Sequence, residues 1–163
     1  MSDSYGAINF TGTTKAGPFH EQIRNGRKIQ TIREPRKDGR PHVIVGRTTK
    51  LYWKMRVKGK CFLIAVVEII AYEEITLLDV WWDEENAVAD GFQDLEEFRK
   101  WFFPEWYMMP SIIQDSIQAA ASLDGDTVKD IIVTLGRRFG KSITMEIYEK
   151  MTEPLRRIKW NPP

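Results

Sequence analysis

Two adjacent segments in the middle of the chain constrain its fold most strongly. Residues 51–57, LYWKMRV, alternate apolar with polar side chains, which is the pattern of a strand with one buried face. Residues 61–70, CFLIAVVEII, form a nearly continuous apolar run, which is typical of a strand covered on both faces. Lys58 and Gly59 supply a turn between the two segments. The pair predicts a β-hairpin, and short strands of this kind after a basic loop favour a small β-barrel.

A helix and another strand are expected before this hairpin. Residues 19–24 carry apolar side chains at i,i+4 spacing and are followed by Gly26, which predicts a short helix. Residues 28–33, KIQTIR, are rich in β-branched side chains and predict a strand. The polar run RKDGRPH, residues 36–42, follows Pro35 and predicts an exposed basic loop.

Helical patterns dominate the sequence after the hairpin. Asp94 followed by Glu97 fits a capping box, and the aromatic and aliphatic residues of 95–102 recur at helical spacing, with their stripe expected in the core. The other predicted elements are two helices, over residues 111–123 and 126–138, and a closing strand, LRRIKW, over residues 155–160.

Length and composition indicate one ordinary globular domain. The chain has 163 residues, of which 42% are hydrophobic and 29% charged, so it is long enough for a core and too apolar for a disordered chain. A single cysteine, Cys61, excludes an internal disulfide and favours a reducing compartment. The N-terminal residues lack the pattern of a signal peptide, and no segment has the length of a membrane span. We therefore expect a cytoplasmic protein that does not enter a membrane.

Charge is strongly segregated along the chain, although the net charge is only +1. Residues 1–60 hold fourteen Lys or Arg and four Asp or Glu, a net of +10, whereas residues 61–106 hold two and twelve, a net of −10. Two interpretations are open. The two segments pair with each other across the fold, or the first forms a positive face for a polyanion beside an acidic element.

Two other candidate sites are weaker. Residues 136–142, GRRFGKS, resemble a phosphate-binding loop, but that loop requires four residues between its glycines and this segment has three. The histidines are His20 and His42, and with Cys61 they make a poor metal set, since zinc sites usually need three or four such ligands. The acidic run DEENAVAD, residues 83–90, is typical of a solvated face. We predict no metal and no cofactor.

Aromatic residues raise the question of base stacking. Trp81, Trp82 and the run WFFPEWY, residues 101–107, lie in the acidic segment, where phosphate is repelled, so we interpret them as packing residues. Tyr52 and Trp53 are flanked by basic residues and are the better stacking candidates.

The segment GRKIQTIRE, residues 26–34, resembles the signature of the ASCH domain, Gly-x-Lys-x-x-Thr-Ile-Arg, which belongs to the PUA-like β-barrel superfamily. Further agreement comes from Gly46 before a strand, from the strand pair at 50–70, and from ADGF leading into LEEFRKWF. The resemblance covers residues 5–106, and LRRIKW fits the last barrel strand. Many members carry Gly-Asp where this chain has Gly46 and Arg47, which makes the barrel rim more basic here.

The resemblance implies an α+β fold, a PUA-like small β-barrel with flanking helices. It implies a single domain over residues 5–163, in which residues 107–150 form a helical insertion before the last strand. Residues 107–150 have no counterpart in the short members of the family.

The strand in the GRKIQTIRE segment offers a binding cleft. Thr31 and Arg33 share one face of an extended strand and are expected to point together into the cleft, while Ile32 packs into the barrel wall. The alternative is that Arg33 pairs with Glu68 or Asp90 and closes the barrel. Around this cleft we expect a rim of basic and aromatic binding residues: Arg27, Arg36, Lys37, Arg40, Arg47, Tyr52, Lys54 and Arg56.

Two functions of different classes follow from the resemblance. PUA-like barrels commonly recognise RNA or modified bases, which predicts a partner that is RNA, single-stranded nucleic acid or a modified nucleoside, with affinity that falls as salt rises. Some small ASCH proteins are instead amidohydrolases that deacetylate acetylcytidine. In that case Lys28 and Thr31 match the family's catalytic pair, and the acid falls on Asp90, with Glu84 and Glu85 as alternatives. A ribonuclease activity is a third possibility.

Overall fold

The computed structural model describes residues 5–104 and 149–163, together with isolated positions at 111, 114–115, 130–131, 133–134, 137 and 146. Its strands in these residues are β1 (Ala7–Phe10), β2 (Thr13–Thr14), β3 (Gly17–Pro18), β4 (Gln30–Arg33), β5 (Thr48–Trp53), β6 (Phe62–Ile75) and β7 (Leu155–Trp160). The helices with described bounds are α1 (Phe19–Arg24), α2 (Leu77–Val80), α3 (Glu84–Ala89) and α4 (Leu95–Phe102).

The main sheet has five strands in the order β1-β5-β6-β7-β4 and curls into a half-barrel. β1 pairs with β5 in parallel, and the other neighbours in this sheet pair antiparallel. β2 and β3 form a separate two-stranded sheet. The mixed α+β class and the barrel-like curvature confirm the coarse prediction. β1 and β4 are the two edges of the sheet and do not pair with each other.

The predicted hairpin is present, but its first strand is shorter than its sequence pattern indicates. β5 and β6 pair antiparallel, with Tyr52 opposite Leu63, so the hairpin is confirmed. β5 ends at Trp53 instead of residue 57. Lys54 takes a left-handed backbone conformation, φ 49°, and its N–H donates to the Phe10 carbonyl of β1. The alternation of residues 54–57 therefore belongs to an exposed loop.

β6 is covered on one face only, which corrects the prediction of a strand buried on both. Ile64, Val67 and Ile69 are buried in the core. Three other apolar side chains of the same strand are exposed by 43–48%: Leu63, Val66 and Ile70. Apolar residues therefore occur on both faces of β6 although only one face is buried, because the half-barrel leaves its outer surface in solvent.

The two helices predicted over residues 19–24 and 95–102 are both confirmed. α1 spans the predicted residues 19–24, and Gly26 just beyond it takes φ +78°, a conformation that glycine reaches without strain. α4 begins after Asp94, whose carboxylate accepts the Glu97 N–H at 2.8 Å. The reciprocal half of the capping box is missing, since the Glu97 carboxylate accepts the N–H groups of Gln93 and Lys15 instead.

The LRRIKW segment forms β7, as predicted, and lies between β6 and β4 in the sheet. Ile158 and Trp160 are fully buried. The charged residues of β7 pair across to β6, where Arg157 contacts Glu73 at 2.8 Å and Arg156 contacts Glu74 at 2.6 Å. β7 therefore joins β4 to the rest of the sheet.

The predicted helices at 111–123 and 126–138, the phosphate-loop-like segment and the 107–150 insertion lie largely or wholly outside the described residues. Within the described part of the chain, no helix is both long and apolar enough to cross a membrane.

Replacing Ile158 by alanine should lower the free energy of unfolding by about 2–5 kcal/mol, because its buried side chain leaves a cavity in the core. The matched change Ile70→Ala removes an exposed side chain of β6 and should cost less than about 1 kcal/mol. Urea denaturation of both variants measures the difference. Equal losses of stability would show that Ile158 and Ile70 do not differ in burial.

Candidate functional site

A cleft of about 330 Å³ lies at the seam between the two unpaired edges of the half-barrel. Its walls come from β1 and the residues after it, from β4, and from one side chain each of α1 and α4. The lining residues are Asn9, Phe10, Thr11, Gly12, Phe19, Thr31, Ile32, Arg33 and Trp101. The predicted placement of Thr31 and Arg33 in one cleft therefore agrees with the geometry.

Side chains replace strand pairing at this seam. The Arg33 guanidinium donates from Nη2 to the Asn9 carbonyl of β1 at 2.6 Å. The Asp90 carboxylate faces the backbone N–H of Ile32 in β4, which acts to lower the pKa of that carboxyl group. β1 and β4 are thus linked through Arg33 and not by a backbone ladder.

Lys28 and Asp90 form a buried ion pair behind the cleft. Lys28 is 1% exposed and Asp90 is 2% exposed. Lys28 Nζ donates to Asp90 Oδ1 at 2.7 Å and also to the Asp90 backbone carbonyl. The ammonium lies 4.3 Å from the centroid of the Phe19 ring and 5.7 Å from that of Phe10. The two rings that line the cleft therefore also cover the pair.

Burial shifts both groups of the pair towards their neutral forms. Loss of hydration lowers the pKa of Lys28, and the nearby Arg33 cation acts in the same direction, while Asp90 opposes the shift. Loss of hydration likewise raises the pKa of Asp90, against the effect of Lys28 and Arg33. Burial also lowers the pKa of Arg33. Buried titratable groups with shifted pKa values next to a cleft are candidates for acid–base chemistry.

Local structure after α3 holds Asp90 in place. The Asp90 N–H caps α3 by donating to the Asn86 carbonyl at 3.0 Å. Gly91 follows with φ +96°, and a Cβ there would lie 3.0 Å from Phe19 and 3.1 Å from Lys28. The Gly91 carbonyl accepts from the Thr14 hydroxyl at 2.7 Å. A glycine is therefore needed where the chain passes over the lysine.

Thr31 provides the hydroxyl of the site. Its side chain is 6% exposed and lines the cleft. Within the described part of the chain this hydroxyl has no hydrogen-bond partner. It lies on the strand that starts two residues after Lys28, so the hydroxyl and the buried ammonium come from one short segment of sequence.

The predicted rim residues after β4 are exposed and form part of one loop. Arg36, Lys37 and Arg40 are all solvent-exposed. Arg36 holds Asp38 through two hydrogen bonds of 3.0 and 2.9 Å, and Arg40 approaches the same carboxylate at 3.7 Å. These contacts lower the pKa of Asp38 below its usual range. The loop therefore keeps an ordered, partly neutralised basic surface.

The other predicted rim residues occupy three different places. Lys54 and Arg56 lie in the loop after β5, which is tied to the cleft because the Met55 N–H donates to Asn9 Oδ1. Tyr52 is half-buried and lies opposite Asn9 in the β1–β5 register. Arg47 is exposed at the other end of β5.

Arg27 points into the fold and is not part of the predicted rim around the cleft. Its guanidinium donates from Nη2 to the Phe92 carbonyl at 3.0 Å. Its Nε is buried without a hydrogen-bond partner in the described residues. Arg27 thus holds the segment that carries Asp90.

Several cleft residues were not identified from the sequence. Trp101 is 50% exposed and lines the cleft, although the helical stripe of α4 placed it in the core. The WFFPEWY run did raise base stacking, but its acidic surroundings argued against it. Trp53, one of the two preferred stacking candidates with Tyr52, is only 8% exposed, and its ring centroid lies 4.5 Å from that of His20. Asn9, Phe10 and Phe19 carry no sequence signal, because only the curl of the sheet brings them to β4.

The charged residues of the basic and acidic segments form ion pairs of two kinds. Lys28–Asp90 joins the basic segment to the acidic segment inside the fold. Glu73 and Glu74 of the acidic segment pair instead with β7. Among the described residues, no group of three or more His, Cys, Asp or Glu is placed to hold a metal ion.

A comparison of the chain with protein-family models, curated proteins and solved structures found no match. The ASCH resemblance of the GRKIQTIRE segment therefore stays a prediction.

Replacing Asp90 by asparagine should lower the free energy of unfolding by about 3 kcal/mol, because Lys28 is left buried without its counter-charge. Adding Lys28→Met to this variant should restore at least half of the loss, since the remaining groups are neutral and of similar size. Denaturant titrations of the two variants beside the parent protein measure both effects. An Asp90→Asn protein as stable as the parent would mean that the pair does not stabilise the seam.

Proposed function

We propose that the chain binds single-stranded RNA or a nucleoside, with one unpaired base in the seam cleft and phosphates against the basic loop 34–41. The observation that supports this most is the cleft itself, which combines aromatic walls with a hydroxyl and a guanidinium. Its volume of about 330 Å³ falls at the lower end of the range for small-molecule sites, which suits a single base better than a larger ligand.

Aromatic side chains support recognition of a planar ring. Trp101 stands half-exposed at the mouth of the cleft, and its ring centroid lies 5.9 Å from that of Phe19 and 5.7 Å from that of Phe92. A tryptophan held by such packing offers one fixed face. Stacking of a base on an aromatic ring of this kind contributes about 1–3 kcal/mol.

Charge supports a ligand that carries phosphate. The first sixty residues have a net charge of +10, and Arg36, Lys37 and Arg40 are exposed next to the strand that ends at Arg33. Contacts of this kind position a nucleic acid without reading its sequence.

The finer fold assignment belongs to the same proposal. We infer a PUA-like barrel of the ASCH type, supported by the position of GRKIQTIRE, whose threonine and last arginine line the cleft on β4. The half-barrel sheet is compatible with that fold. Shared architecture alone does not transfer activity, so the function rests on the cleft.

Single-stranded RNA should bind at low salt, and two variants should weaken binding in different ways. Trp101→Ala should lower affinity about five- to 100-fold through lost stacking, with little change in salt dependence. The triple change of Arg36, Lys37 and Arg40 to alanine should lower the slope of log affinity against log salt by about 2 if all three contact phosphates. Fluorescence anisotropy of a labelled oligonucleotide measures both.

Ile70→Ala serves as the control, since it removes an exposed apolar side chain that does not line the cleft. Absence of binding by the parent protein at low salt would refute the RNA proposal. Gel analysis of the RNA after incubation separates binding from ribonuclease activity, because only cleavage shortens the oligonucleotide.

A second candidate function is hydrolysis of an acylated cytidine, and the buried Lys28–Asp90 pair favours it. In this reaction the Thr31 hydroxyl attacks the acyl carbon while Lys28 accepts its proton. Asp90 then protonates the leaving amino group of cytidine, and water hydrolyses the acyl-threonine. The lowered pKa of Lys28 and the raised pKa of Asp90 suit a base and an acid. Because both groups lie beneath Phe10 and Phe19, the substrate must shift these rings to reach them.

Incubation with acetylcytidine, followed by chromatography of released cytidine, tests this candidate. Thr31→Ala and Lys28→Met should each lower turnover at least about 100-fold, as expected when a nucleophile or its base is lost. Thr31→Ser keeps the hydroxyl and should retain measurable turnover. Equal turnover by Lys28→Met, or none by the parent protein, would leave a binding cleft without this activity.

A further inference from the structure

We propose that two unpaired backbone groups at the seam, the Asn9 N–H and the Ile32 carbonyl, read the hydrogen-bonding edge of the bound ring. The cleft then selects heterocycles in which one edge carries a hydrogen-bond donor next to an acceptor and has no methyl group. The ring-nitrogen edge of a pyrimidine nucleoside is an example. This inference rests on the proposed nucleoside or RNA binding and names the ligand class of that cleft.

The direction of the Asn9 groups follows from the β1–β5 pairing. In a strand, the N–H and carbonyl of one residue point to the same side, and successive residues alternate. The Phe10 carbonyl accepts the Lys54 N–H just beyond the end of β5, so Phe10 points towards β5. The Asn9 carbonyl points the other way, where it accepts from Arg33. The Asn9 N–H therefore also faces the seam.

The direction of the Ile32 groups follows in the same way from the β4–β7 pairing. The Trp160 N–H of β7 donates to the Ile29 carbonyl, which places residues 29, 31 and 33 on the paired side of β4. Ile32 alternates with them, so its N–H faces the unpaired side of β4, where the Asp90 carboxylate lies. The Ile32 carbonyl consequently also faces the seam.

On each strand edge, one backbone group thus faces a charged side chain, and the other has no hydrogen-bond partner within the described part of the chain. Arg33 donates to the Asn9 carbonyl and the Asp90 carboxylate faces the Ile32 N–H, which leaves a donor on β1 and an acceptor on β4. Both residues line the same cleft. Backbone groups shielded from water are costly to leave unpaired, so a ligand that satisfies both gains affinity.

Because Arg33 and Asp90 already face one backbone group on each edge, the ligand is more compatible with a small ring than with an added peptide strand. A strand that paired with an edge would need alternate N–H and carbonyl groups along that edge. At each edge one of the two groups already faces a charged side chain of the protein, since Arg33 donates to the Asn9 carbonyl and Asp90 lies opposite the Ile32 N–H. One donor and one acceptor match the edge of cytosine, uracil or adenine, each of which carries both kinds of group.

Two isomeric ligands test the inference directly. 5-Methyluridine and 3-methyluridine have the same atoms and size, but the second has a methyl group on the ring nitrogen that would donate to Ile32. Isothermal titration should show 3-methyluridine binding at least about tenfold more weakly, as expected for loss of a shielded hydrogen bond. In the parent protein, the amide ¹⁵N signal of Asn9 should also shift on addition of 5-methyluridine and not of 3-methyluridine.

A matched pair of variants tests the donor on β1. Asn9→Pro removes the N–H, and proline is tolerated on an edge strand where that group faces outward. Asn9→Ala keeps the N–H, and both variants lose the side-chain contact to the Met55 N–H. The alanine variant should keep the preference for 5-methyluridine, whereas the proline variant should bind 5-methyluridine about tenfold more weakly than the alanine variant.

The outcomes separate this inference from the proposed function. Equal binding of both isomers by the parent protein would overturn edge reading and leave nucleoside binding intact. Binding of neither isomer, nor of an oligonucleotide, would overturn both. If the proline variant does not fold, the isomer comparison and the Asn9 amide shift in the parent protein still decide the matter.

Discussion

The ion pair between Lys28 and Asp90 lies at the point where the two edges of the half-barrel would otherwise meet. The Asp90 carboxylate accepts from the Lys28 ammonium and faces the Ile32 N–H of β4, so the buried cation and the strand edge meet at one group. Phe10 and Phe19 cover the ammonium from the side of the cleft. Because removing either charge would leave the other buried alone, the segments that carry them are held together.

The open seam follows from this arrangement. Closed barrels remove their sheet edges by pairing first and last strands, whereas here the Arg33 guanidinium donates to β1 and the Asp90 carboxylate faces the edge of β4. The space between the two edges becomes a cleft whose walls carry open backbone groups, a threonine hydroxyl and aromatic rings. Stability of the wall and availability of the site thus depend on the same contacts.

The distribution of charge has a similar double role. Lys28 and Asp90 bring opposite charges from the basic and acidic segments into the interior. The acidic residues of β6 pair with β7 and help to hold that strand between β6 and β4. Arg36, Lys37 and Arg40 stay at the surface, where a phosphate-bearing ligand would meet them. A net charge close to zero therefore hides a molecule with distinct charged regions.

The sequence by itself determined several of the local elements, but it did not predict β1, β2, β3, α2 or α3. The spacing of Phe19 and Ile23 specified α1, the Asp94 cap specified the start of α4, and the β-branched and alternating runs specified β4, β6 and β7, because each depends on neighbouring residues. Tertiary structure alone decided how far β5 extends, which face of β6 is covered, and that Trp101 reaches the cleft. Thr31 and Arg33 share a strand and could be placed together from sequence, but Asn9 and Phe10 join them only through the curl of a sheet whose strand order no local pattern encodes.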